Sequence, residues 1–199
     1  MTRVIALTGN IASGKSTVAR LFEQWGALLF DADATVHRLQ QPGEPVLAAM
    51  AQRFGPEILD DRGQLDRAAM RRMMLADPTV RRDLEAIVHP AVAERRRALI
   101  DAAGRRGDPV VVADIPLLFE SDDPGEYDAV VLVDAPEPLR RERLVQIRGI
   151  DPGEADRMIA AQLPTAMKRL AADVVIDNDS TLDVLEVRAR DAWELLLAK

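Results

Sequence analysis

A glycine-rich motif at residues 9–17 constrains the fold of this chain more than any other feature. The residues read Gly-Asn-Ile-Ala-Ser-Gly-Lys-Ser-Thr and directly follow an apolar run, Val4–Leu7. They match G-x-x-x-x-G-K-[ST], a turn between a strand and a helix whose backbone amides cradle phosphates. Gly9 and Gly14 permit backbone angles and close approaches that a Cβ would block. The motif therefore predicts a strand, a phosphate-binding loop and a helix in succession.

The side chains of this loop predict a nucleotide with bound Mg²⁺. Lys15 supplies a positive charge that reaches the β- and γ-phosphates, and the Ser16 hydroxyl is a candidate Mg²⁺ ligand. Thr17 lies at the start of a helix whose positive end faces the same phosphates. The expected nucleotide contacts are Gly9, Asn10, Ile11, Ala12, Ser13, Gly14, Lys15, Ser16 and Thr17. A glycine-rich turn that merely precedes a helix is the alternative, but it does not require a strand before the motif.

Composition excludes several classes of protein. The net charge of −7, from 33 acidic and 26 basic side chains, argues against a general nucleic-acid-binding surface. Cysteine is absent, which rules out disulfides and thiolate catalysis, and two histidines are too few for a histidine-rich metal site. No apolar stretch approaches a membrane span, and Lys15 and Arg20 interrupt any signal-peptide pattern. We therefore expect a cytoplasmic protein without a nucleic-acid, membrane or obligate protein partner.

Short apolar runs rich in β-branched residues predict the strands. They are Val4–Leu7, Ala27–Phe30, Val110–Ala113, Ala129–Val133 and Val174–Ile176. Because helical patterns separate them, the expected fold is α/β, with about five parallel strands and helices on both faces. With the phosphate loop, this is the three-layer P-loop NTPase fold of the type found in nucleoside monophosphate kinases.

Helical patterns fill the intervals between the strands. Residues 16–25 place apolar side chains on one face, and we expect them and the last segment, Leu182–Leu197, to pack on the sheet. Residues 34–106 contain no convincing strand and are predicted to form a helical insertion. Helix starts in the insertion are predicted at Pro45, Asp66, Asp77-Pro78 and, for a long arginine-bearing helix, Pro90.

These patterns predict one domain over residues 1–199, made of a core, the 34–106 insertion and a lid. The lid is predicted at 137–172, because prolines and glycines delimit a helical hairpin that follows a strand end. The core then comprises about 1–33, 107–136 and 173–199.

Two carboxylates follow the second predicted strand, in the sequence Asp31-Ala32-Asp33. Ligands of open α/β sheets bind at the carboxyl ends of the strands, and in an extended chain both carboxylates would point the same way. Each is a candidate Mg²⁺-associated carboxylate or a general base for an acceptor hydroxyl. The alternative for Asp33 is the N-cap of a helix over 34–39, and a structural role for Asp31 is equally open.

A third aspartate closes an apolar strand. Asp114 follows Val110–Ala113, an arrangement that resembles the Walker B position, where the carboxylate holds Mg²⁺ directly or through water. A strand-end cap or a salt-bridge partner is an equally good interpretation. The chain then continues through Pro116, Leu117 and Leu118, which are unusually apolar for a surface loop and are expected to form the floor of a pocket.

Arginines cluster in the predicted lid, at Arg140, Arg141, Arg143 and Arg148. Such a run is usually a solvated helix face, but a mobile lid also carries arginines over phosphates, so we expect at least one in the nucleotide site. His89 is either a packing residue at a helix start or a substrate contact, and His37 is expected at the surface. Asn178, just after the last strand, is a candidate adenine contact.

Along the chain, these motifs strongly resemble those of the dephospho-CoA kinase family. The matching segments besides 9–17 are Asp-Ala-Asp (31–33), Phe-Gly (54–55), Gly-x-Leu-Asp-Arg (63–67), Leu-Glu-x-Ile-x-His-Pro (84–90), Pro-Leu-Leu-Phe-Glu (116–120), Ala-Ala-Gln (160–162) and Ala-Asp-x-Val-Ile-Asp-Asn (172–178). They cover nearly the whole chain. The Asp-Ala-Asp, His-Pro and Pro-Leu-Leu-Phe-Glu segments at these separations are far more specific than the phosphate loop alone.

The resemblance implies ATP-dependent phosphorylation of the ribose 3′-hydroxyl of dephospho-CoA, the last step of coenzyme A synthesis. It implies that Asp33 is the base, that Lys15 and the loop hold the ATP phosphates, and that the insertion binds the CoA part. The implied lid arginines at the transferring phosphoryl group are Arg140 and, beside it, Arg143 or Arg148. The implied substrate contacts are Asp33, Arg67, His89, Pro116, Leu117 and Leu118, and the implied Mg²⁺ ligands are Ser16 and, as a second candidate, Asp114.

Two loop residues depart from the family pattern. The family loop usually reads Gly-Gly-Ile-Gly-Ser-Gly-Lys, whereas this chain has Asn10 and Ala12. Asparagine tolerates left-handed backbone angles better than other non-glycine residues, so Asn10 is a mild change. Ala12 is unstrained only if its φ is negative.

Two other functions stay open at the level of sequence. Another P-loop nucleotide or small-molecule kinase would differ in its acceptor and is distinguished by a substrate panel. A regulatory P-loop NTPase would hydrolyse its nucleotide without an acceptor and would carry a guanine-specificity motif of the Asn-Lys-x-Asp type. That motif is absent, since the two asparagines are Asn10 and Asn178.

Overall fold

Five strands form the central sheet of the computed structural model, which describes residues 2–121 and 124–198. The strands are β1 (Arg3–Gly9), β2 (Leu28–Asp31), β3 (Val110–Asp114), β4 (Ala129–Asp134) and β5 (Val174–Asp177). Their order in the sheet is β2-β3-β1-β4-β5. β1 pairs in parallel with β3 and β4, as β4 does with β5. The predicted five-stranded parallel sheet is confirmed, and each strand lies on its apolar run.

Helices flank the sheet on both faces, as predicted. They are α1 (Lys15–Gln24), α2 (Ala32–Leu39), α3 (Pro45–Phe54), α4 (Arg67–Ala76), α5 (Pro78–Arg106), α6 (Leu118–Ser121), α7 (Glu137–Glu142), α8 (Pro152–Ala160), α9 (Thr165–Ala171) and α10 (Leu182–Ala198). Short 3-10 turns cover Pro56–Ile58 and Pro124–Glu126, and a π-helical turn, Arg143–Ile147, continues α7. Across the described residues, every helix is too short or too polar to span a lipid bilayer.

The chain divides into two compact units, and the first of them holds the sheet. This unit runs up to Phe30 and resumes at Ala102. Its core joins apolar residues of the strands to the buried faces of α1 and α10. Phe22 of α1 and Trp193 of α10 lie with their ring centroids 5.2 Å apart. The prediction that the first helix and the last segment pack on the sheet is therefore confirmed.

The second unit, Asp31–Asp101, is helical and has its own core. The core residues of this unit include Leu39, Met50, Phe54, Met70 and Val88. Helices begin at Pro45, after Asp66 and at Pro78, as predicted. The Asp66 cap shows why, since its Oδ1 accepts hydrogen bonds of 2.9 Å from the amides of Ala68 and Ala69.

The prediction that a helix opens at Pro90 is wrong. α5 begins at Pro78, where Asp77 Oδ1 accepts the Thr79 N–H at 2.8 Å, and it runs through Pro90 to its end. A proline inside a helix removes one hydrogen bond and crowds the carbonyl four residues earlier. Val88 and Val92, on either side of Pro90, pack into the core of the second unit, and this burial outweighs the cost.

The prediction that the chain is extended over residues 31–33 is correct for Asp31 and wrong for Asp33, because α2 begins at Ala32. Asp31, rather than Asp33, is the N-cap, and its Oδ1 accepts the Ala34 N–H at 2.8 Å. The Thr35 hydroxyl donates to the Asp31 carbonyl at 2.7 Å. Asp33 therefore stands in the first turn of α2 with an exposed side chain.

Candidate active site

The phosphate loop joins the end of β1 to the start of α1. The sheet register sets Leu7 opposite Asp114, so the carboxyl end of β3 lies beside the start of the loop. Lys15, the first residue of α1, forms an ion pair with Asp114, and the two side chains are only 14% and 11% exposed. Asp114 thus holds the Lys15 ammonium at the carboxyl end of the sheet.

Glycine is required at both ends of the loop. A Cβ on Gly9 would lie 2.6 Å from Ser13 Oγ. Gly14 has a φ of +98°, and a Cβ there would lie 2.1 Å from Asn178 Nδ2. Gly14 is also the N-cap of α1, whose first amides have no partner within the helix and carry its positive dipole end. Ser16 lies in that first turn, and it is exposed.

Ala12 adopts the left-handed conformation that the sequence analysis named as the strained alternative. Its φ is +60°, and among the described residues it is the one non-glycine residue with a positive φ. This conformation costs an L-residue about 1–2 kcal/mol, so neighbouring contacts must maintain it. The Ala12 methyl group is buried in an apolar cluster with Leu144, Ala155 and Ile159.

Arg143 and Asn178, both predicted nucleotide contacts, bind carbonyls of the phosphate loop. Arg143 Nη1 donates to the carbonyl of Ala12 at 3.1 Å and to that of Ser13 at 3.4 Å. Asn178 Nδ2 donates to the same Ser13 carbonyl at 2.7 Å, and Arg143 Nη2 donates to the Asn178 carbonyl at 3.2 Å. Burial lowers the pKa of Arg143 from its ordinary value.

Two residues near the junction of α8 and α9, Gln162 and the first residue of α9, Thr165, also contact the loop, although sequence reasoning assigned them no role. Gln162 Oε1 accepts the Ile11 N–H at 2.8 Å, and Asn10 Nδ2 donates to Thr165 Oγ1 at 2.6 Å. No local pattern marks these residues, because their contacts depend on how the segment folds back on the loop. The family resemblance included Gln162 in one motif, and it was the one available signal.

Unmatched polar atoms remain on the loop. Within the described parts of the chain, Asn10 Oδ1 and Ser13 Oγ are buried without a hydrogen-bond partner. Buried polar atoms are normally paired, so such atoms at a phosphate loop fit a site built for a polar ligand.

The remaining predicted lid arginines differ sharply in exposure. Arg140 is 4% exposed and its Nε donates to the Ala135 carbonyl at 3.1 Å, while its Nη1 is buried with no hydrogen-bond partner among the described residues. Burial lowers the pKa of Arg140, and the nearby Asp134 opposes this shift. Arg148 is exposed, and its backbone N–H donates to the Arg143 carbonyl at 3.2 Å.

In the second unit, Arg67 lies at the first position of α4. Its Nη2 is 2.9 Å from His37 Nδ1 and donates to Gln40 Oε1 at 3.1 Å. His37 is exposed, as expected. His89 is also exposed, but it lies in the middle of α5 rather than at a helix start.

The apolar residues after β3 do not share one environment. Thr8 Oγ1 donates to the Pro116 carbonyl at 3.3 Å, which fixes the chain where it leaves the sheet. Leu118 is fully buried, whereas Leu117 is 41% exposed. A ligand at this surface would therefore meet Leu117 rather than Leu118.

A Mg²⁺ site must depend on few protein ligands. The described residues contain no group of three or more histidine, cysteine or acidic side chains able to hold a metal. Mg²⁺ bound to a nucleotide typically takes one or two protein ligands together with phosphate oxygens and water. The carboxylate of Asp114 and the exposed hydroxyl of Ser16 are a donor set of that kind.

Comparison with known proteins gives one family. A family model described as dephospho-CoA kinase matches residues 3–183. The dephospho-CoA kinase of Symbiobacterium thermophilum is 44% identical over 96% of this chain and 80% of its own length. That of Corynebacterium diphtheriae is 43% identical over 96% of both chains.

Solved structures agree with this match. The crystal structure of TT1252 from Thermus thermophilus superposes with a TM-score of 0.82 at 37% identity, covering 98% of both chains. A dephospho-CoA kinase from Campylobacter jejuni gives a TM-score of 0.75 over 100% of this chain and 98% of its own. At 20% identity the second likeness speaks to the fold alone.

Proposed function

The chain belongs to the dephospho-CoA kinase family, and from that premise we propose which of its residues transfer the γ-phosphoryl group of ATP to the ribose 3′-hydroxyl of dephospho-CoA. Such transfer needs positioning and charge neutralisation more than covalent chemistry. The observation that carries the proposal is the phosphate loop itself, in which Lys15 is held by Asp114 at the start of α1. The acceptor is a small molecule and ATP is the donor.

The donor half of the proposal rests on residues 9–17. The triphosphate lies along the loop, where the first amides of α1 and the Lys15 ammonium offer positive charge to the β- and γ-phosphates. Because Asp114 fixes the ammonium, little side-chain freedom is lost when the nucleotide binds. Arg140 adds a charge with one unmatched buried donor, Nη1, which supports its proposed role at the transferring group.

Mg²⁺ is part of the proposal, and its ligands are Ser16 and Asp114. When held there with the nucleotide, Mg²⁺ would supply charge neutralisation at the phosphates. Asp114 then serves two cations, since it also pairs with Lys15.

The acceptor half of the proposal rests on Asp33. The 3′-oxygen of dephospho-CoA attacks the γ-phosphorus, the bond from that phosphorus to the β–γ bridging oxygen breaks, and ADP leaves. The hydroxyl proton passes to the Asp33 carboxylate. Because Asp31 caps α2, Asp33 is not needed for that structural task, and its exposed carboxylate supports the assignment.

The proposed division of labour follows the predicted domain plan. The insertion at 34–106 binds the CoA part, with Arg67 and His89 as contacts, and Pro116 and Leu117 complete the substrate set, whereas the buried Leu118 supports Leu117 from below the surface. The lid at 137–172 excludes water that would otherwise hydrolyse ATP, and Arg148 is a further candidate for the nucleotide. We place the reaction in the cytoplasm.

A direct assay tests this proposal. The purified protein is incubated with ATP, Mg²⁺ and dephospho-CoA, and products are analysed by mass, with AMP and adenosine as rival acceptors. We expect CoA as the product and little phosphorylation of the rivals. Phosphorylation of AMP or adenosine without formation of CoA would overturn the assignment.

A further inference from the structure

The phosphate loop holds an alanine in a backbone conformation that glycine adopts freely. Ala12 has a φ of +60°, whereas Gly14, two residues later, has a φ of +98°. An L-residue in the left-handed region is disfavoured by about 5- to 30-fold relative to glycine. A loop with alanine at this position therefore needs surrounding contacts that hold the turn. A loop with glycine there would depend less on such contacts.

Arg143 and Asn178 supply those contacts. Together they engage the two successive carbonyls of Ala12 and Ser13 through hydrogen bonds of 2.7–3.4 Å. Asn178 is only 5% exposed, and its own backbone N–H donates to the Asp134 carbonyl at 2.6 Å, so its side chain starts from a fixed point at the end of β5. Arg143 is tied to the same point through the Asn178 carbonyl.

Fixing a carbonyl also fixes the next amide. A trans peptide is planar, so its N–H points opposite to its C=O. With the Ser13 carbonyl held by Asn178 and Arg143, the Gly14 N–H is directed away from both of them. Converging backbone amides make up the anion site of a phosphate loop, so the direction of the Gly14 N–H matters for phosphate binding.

We propose that Arg143 and Asn178 are positioning residues that hold Ala12 in the left-handed conformation and thereby preform the phosphate site. They act through the loop and need not touch the nucleotide. The inference rests on the proposed function of the loop as the ATP phosphate site. In this chain, ATP binding then depends on Arg143 and Asn178, whereas a loop with glycine at position 12 would lack that dependence.

Direct contact with ATP is the competing explanation, and the two make different predictions for a second change at position 12. If Arg143 or Asn178 binds the nucleotide, replacing Ala12 by glycine cannot restore what its loss removes. If they hold the turn, glycine restores the conformation without them. Ala12→Gly alone is the reference for the double variants, because it also removes a methyl group that packs against Leu144, Ala155 and Ile159.

The experiment compares Asn178→Ala and Arg143→Met, each with and without Ala12→Gly, in the full chain. Binding of a non-hydrolysable ATP analogue with Mg²⁺ is measured by calorimetry, and KM for ATP, KM for dephospho-CoA and kcat are measured by CoA formation. Arg157→Met, with and without Ala12→Gly, is the matched control, because Arg157 is an exposed arginine of α8 in the same segment. Thermal melts report whether each variant is folded.

We expect each single variant to weaken analogue binding and raise KM for ATP by about 10-fold, with KM for dephospho-CoA unchanged. Ala12→Gly should recover most of that loss in both backgrounds, whereas in the Arg157→Met background it should have only the effect that it has in the wild-type chain. Loss of ATP affinity that glycine fails to recover would overturn the proposal in favour of direct contact. Unchanged affinity in both single variants would overturn it as well.

Two features keep the result decisive. If Arg143→Met does not fold, the Asn178→Ala pair decides alone, because that variant keeps the backbone hydrogen bond to Asp134. If the wild-type protein makes no CoA, the proposed function fails, yet analogue binding still tests the positioning role.

Discussion

Asp31 and Asp33 stand two residues apart but differ in their contacts. The Asp31 carboxylate accepts a hydrogen bond from the Ala34 N–H and caps α2. Asp33 has an exposed side chain in the first turn of α2. From sequence alone, each residue could have either a structural role, such as the helix N-cap, or a chemical role. The structure gives the cap to Asp31, which makes Asp33 the better candidate for a proton acceptor.

Replacing Asp33 by asparagine should therefore lower kcat by roughly 10²- to 10⁴-fold while ATP affinity stays nearly intact. The amide keeps the size of the side chain but cannot take the proton. Steady-state kinetics with dephospho-CoA, together with calorimetric ATP binding, measure both quantities. Asp31→Asn is the matched control and should turn over normally, since asparagine is an equally good N-cap. Normal turnover of Asp33→Asn would remove Asp33 from the mechanism.

Trp193 tests the packing of the sheet-bearing unit at a single residue. The side chain is 4% exposed and packs on Phe22 of α1 and on Trp25, the residue that follows α1. Trp193→Ala should lower the free energy of unfolding by about 3–5 kcal/mol because it leaves a large cavity. Urea unfolding followed by circular dichroism measures this change. Leu182→Ala, at an exposed site, is the control. A loss of unfolding free energy in Trp193→Ala no larger than that in Leu182→Ala would contradict the described core.

Among the elements, α5 departs most from its sequence prediction. Proline favours the first position of a helix, so the pattern around Pro90 was interpreted as a start. The start predicted at Pro78 is present, with Asp77 as its cap, but the same helix continues through Pro90, so no second helix opens there. Sequence pattern does not separate a proline that opens a helix from one inside it when apolar residues on both sides share a core.

Pro90→Ala should accordingly raise the free energy of unfolding, by up to about 3 kcal/mol. Alanine restores the missing backbone donor and removes the ring clash, and the position is exposed. The matched variant Pro78→Ala should be close to neutral, because the first helical position needs no donor. Chemical denaturation compares the two. Destabilisation by Pro90→Ala would argue that the proline is accommodated by a local bend of α5.

The start of α5 should also respond to pH. The hydrogen bond from the Thr79 backbone holds the pKa of Asp77 below the ordinary value of an aspartate. A carboxyl whose pKa is lower in the folded state stabilises the fold at pH values above its ordinary pKa. This contribution disappears as the pH falls through the pKa of the folded state. Thermal melts of wild type and Asp77→Asn, run from neutral to acid pH, should show a Tm gap in favour of wild type that closes as the Asp77 carboxylate becomes protonated. A gap that stays constant would exclude a charged cap.

At the scale of the whole molecule, the parts set by local pattern were predictable and those set by tertiary contact were not. Buried parallel strands are apolar throughout, so the runs at Val110 and Ala129 revealed β3 and β4. The phosphate loop was predictable because its residue types have fixed physical tasks. By contrast, the burial of Arg140 and the contacts of Gln162 with Ile11 arise only when the 137–172 segment folds against the loop.

The alternatives that sequence left open differ in how phosphoryl transfer depends on the acceptor. A dephospho-CoA kinase couples ATP cleavage to CoA formation, another P-loop kinase prefers a different acceptor, and a regulatory NTPase needs none. Membership of the dephospho-CoA kinase family selects the first.

The most direct test is therefore the rate of ADP formation by the purified protein, measured with and without dephospho-CoA in the presence of ATP and Mg²⁺. We predict that ADP forms slowly alone and much faster with dephospho-CoA, with one CoA produced for each ADP. An ADP rate that does not respond to dephospho-CoA, or ADP formed without matching CoA, would contradict the account.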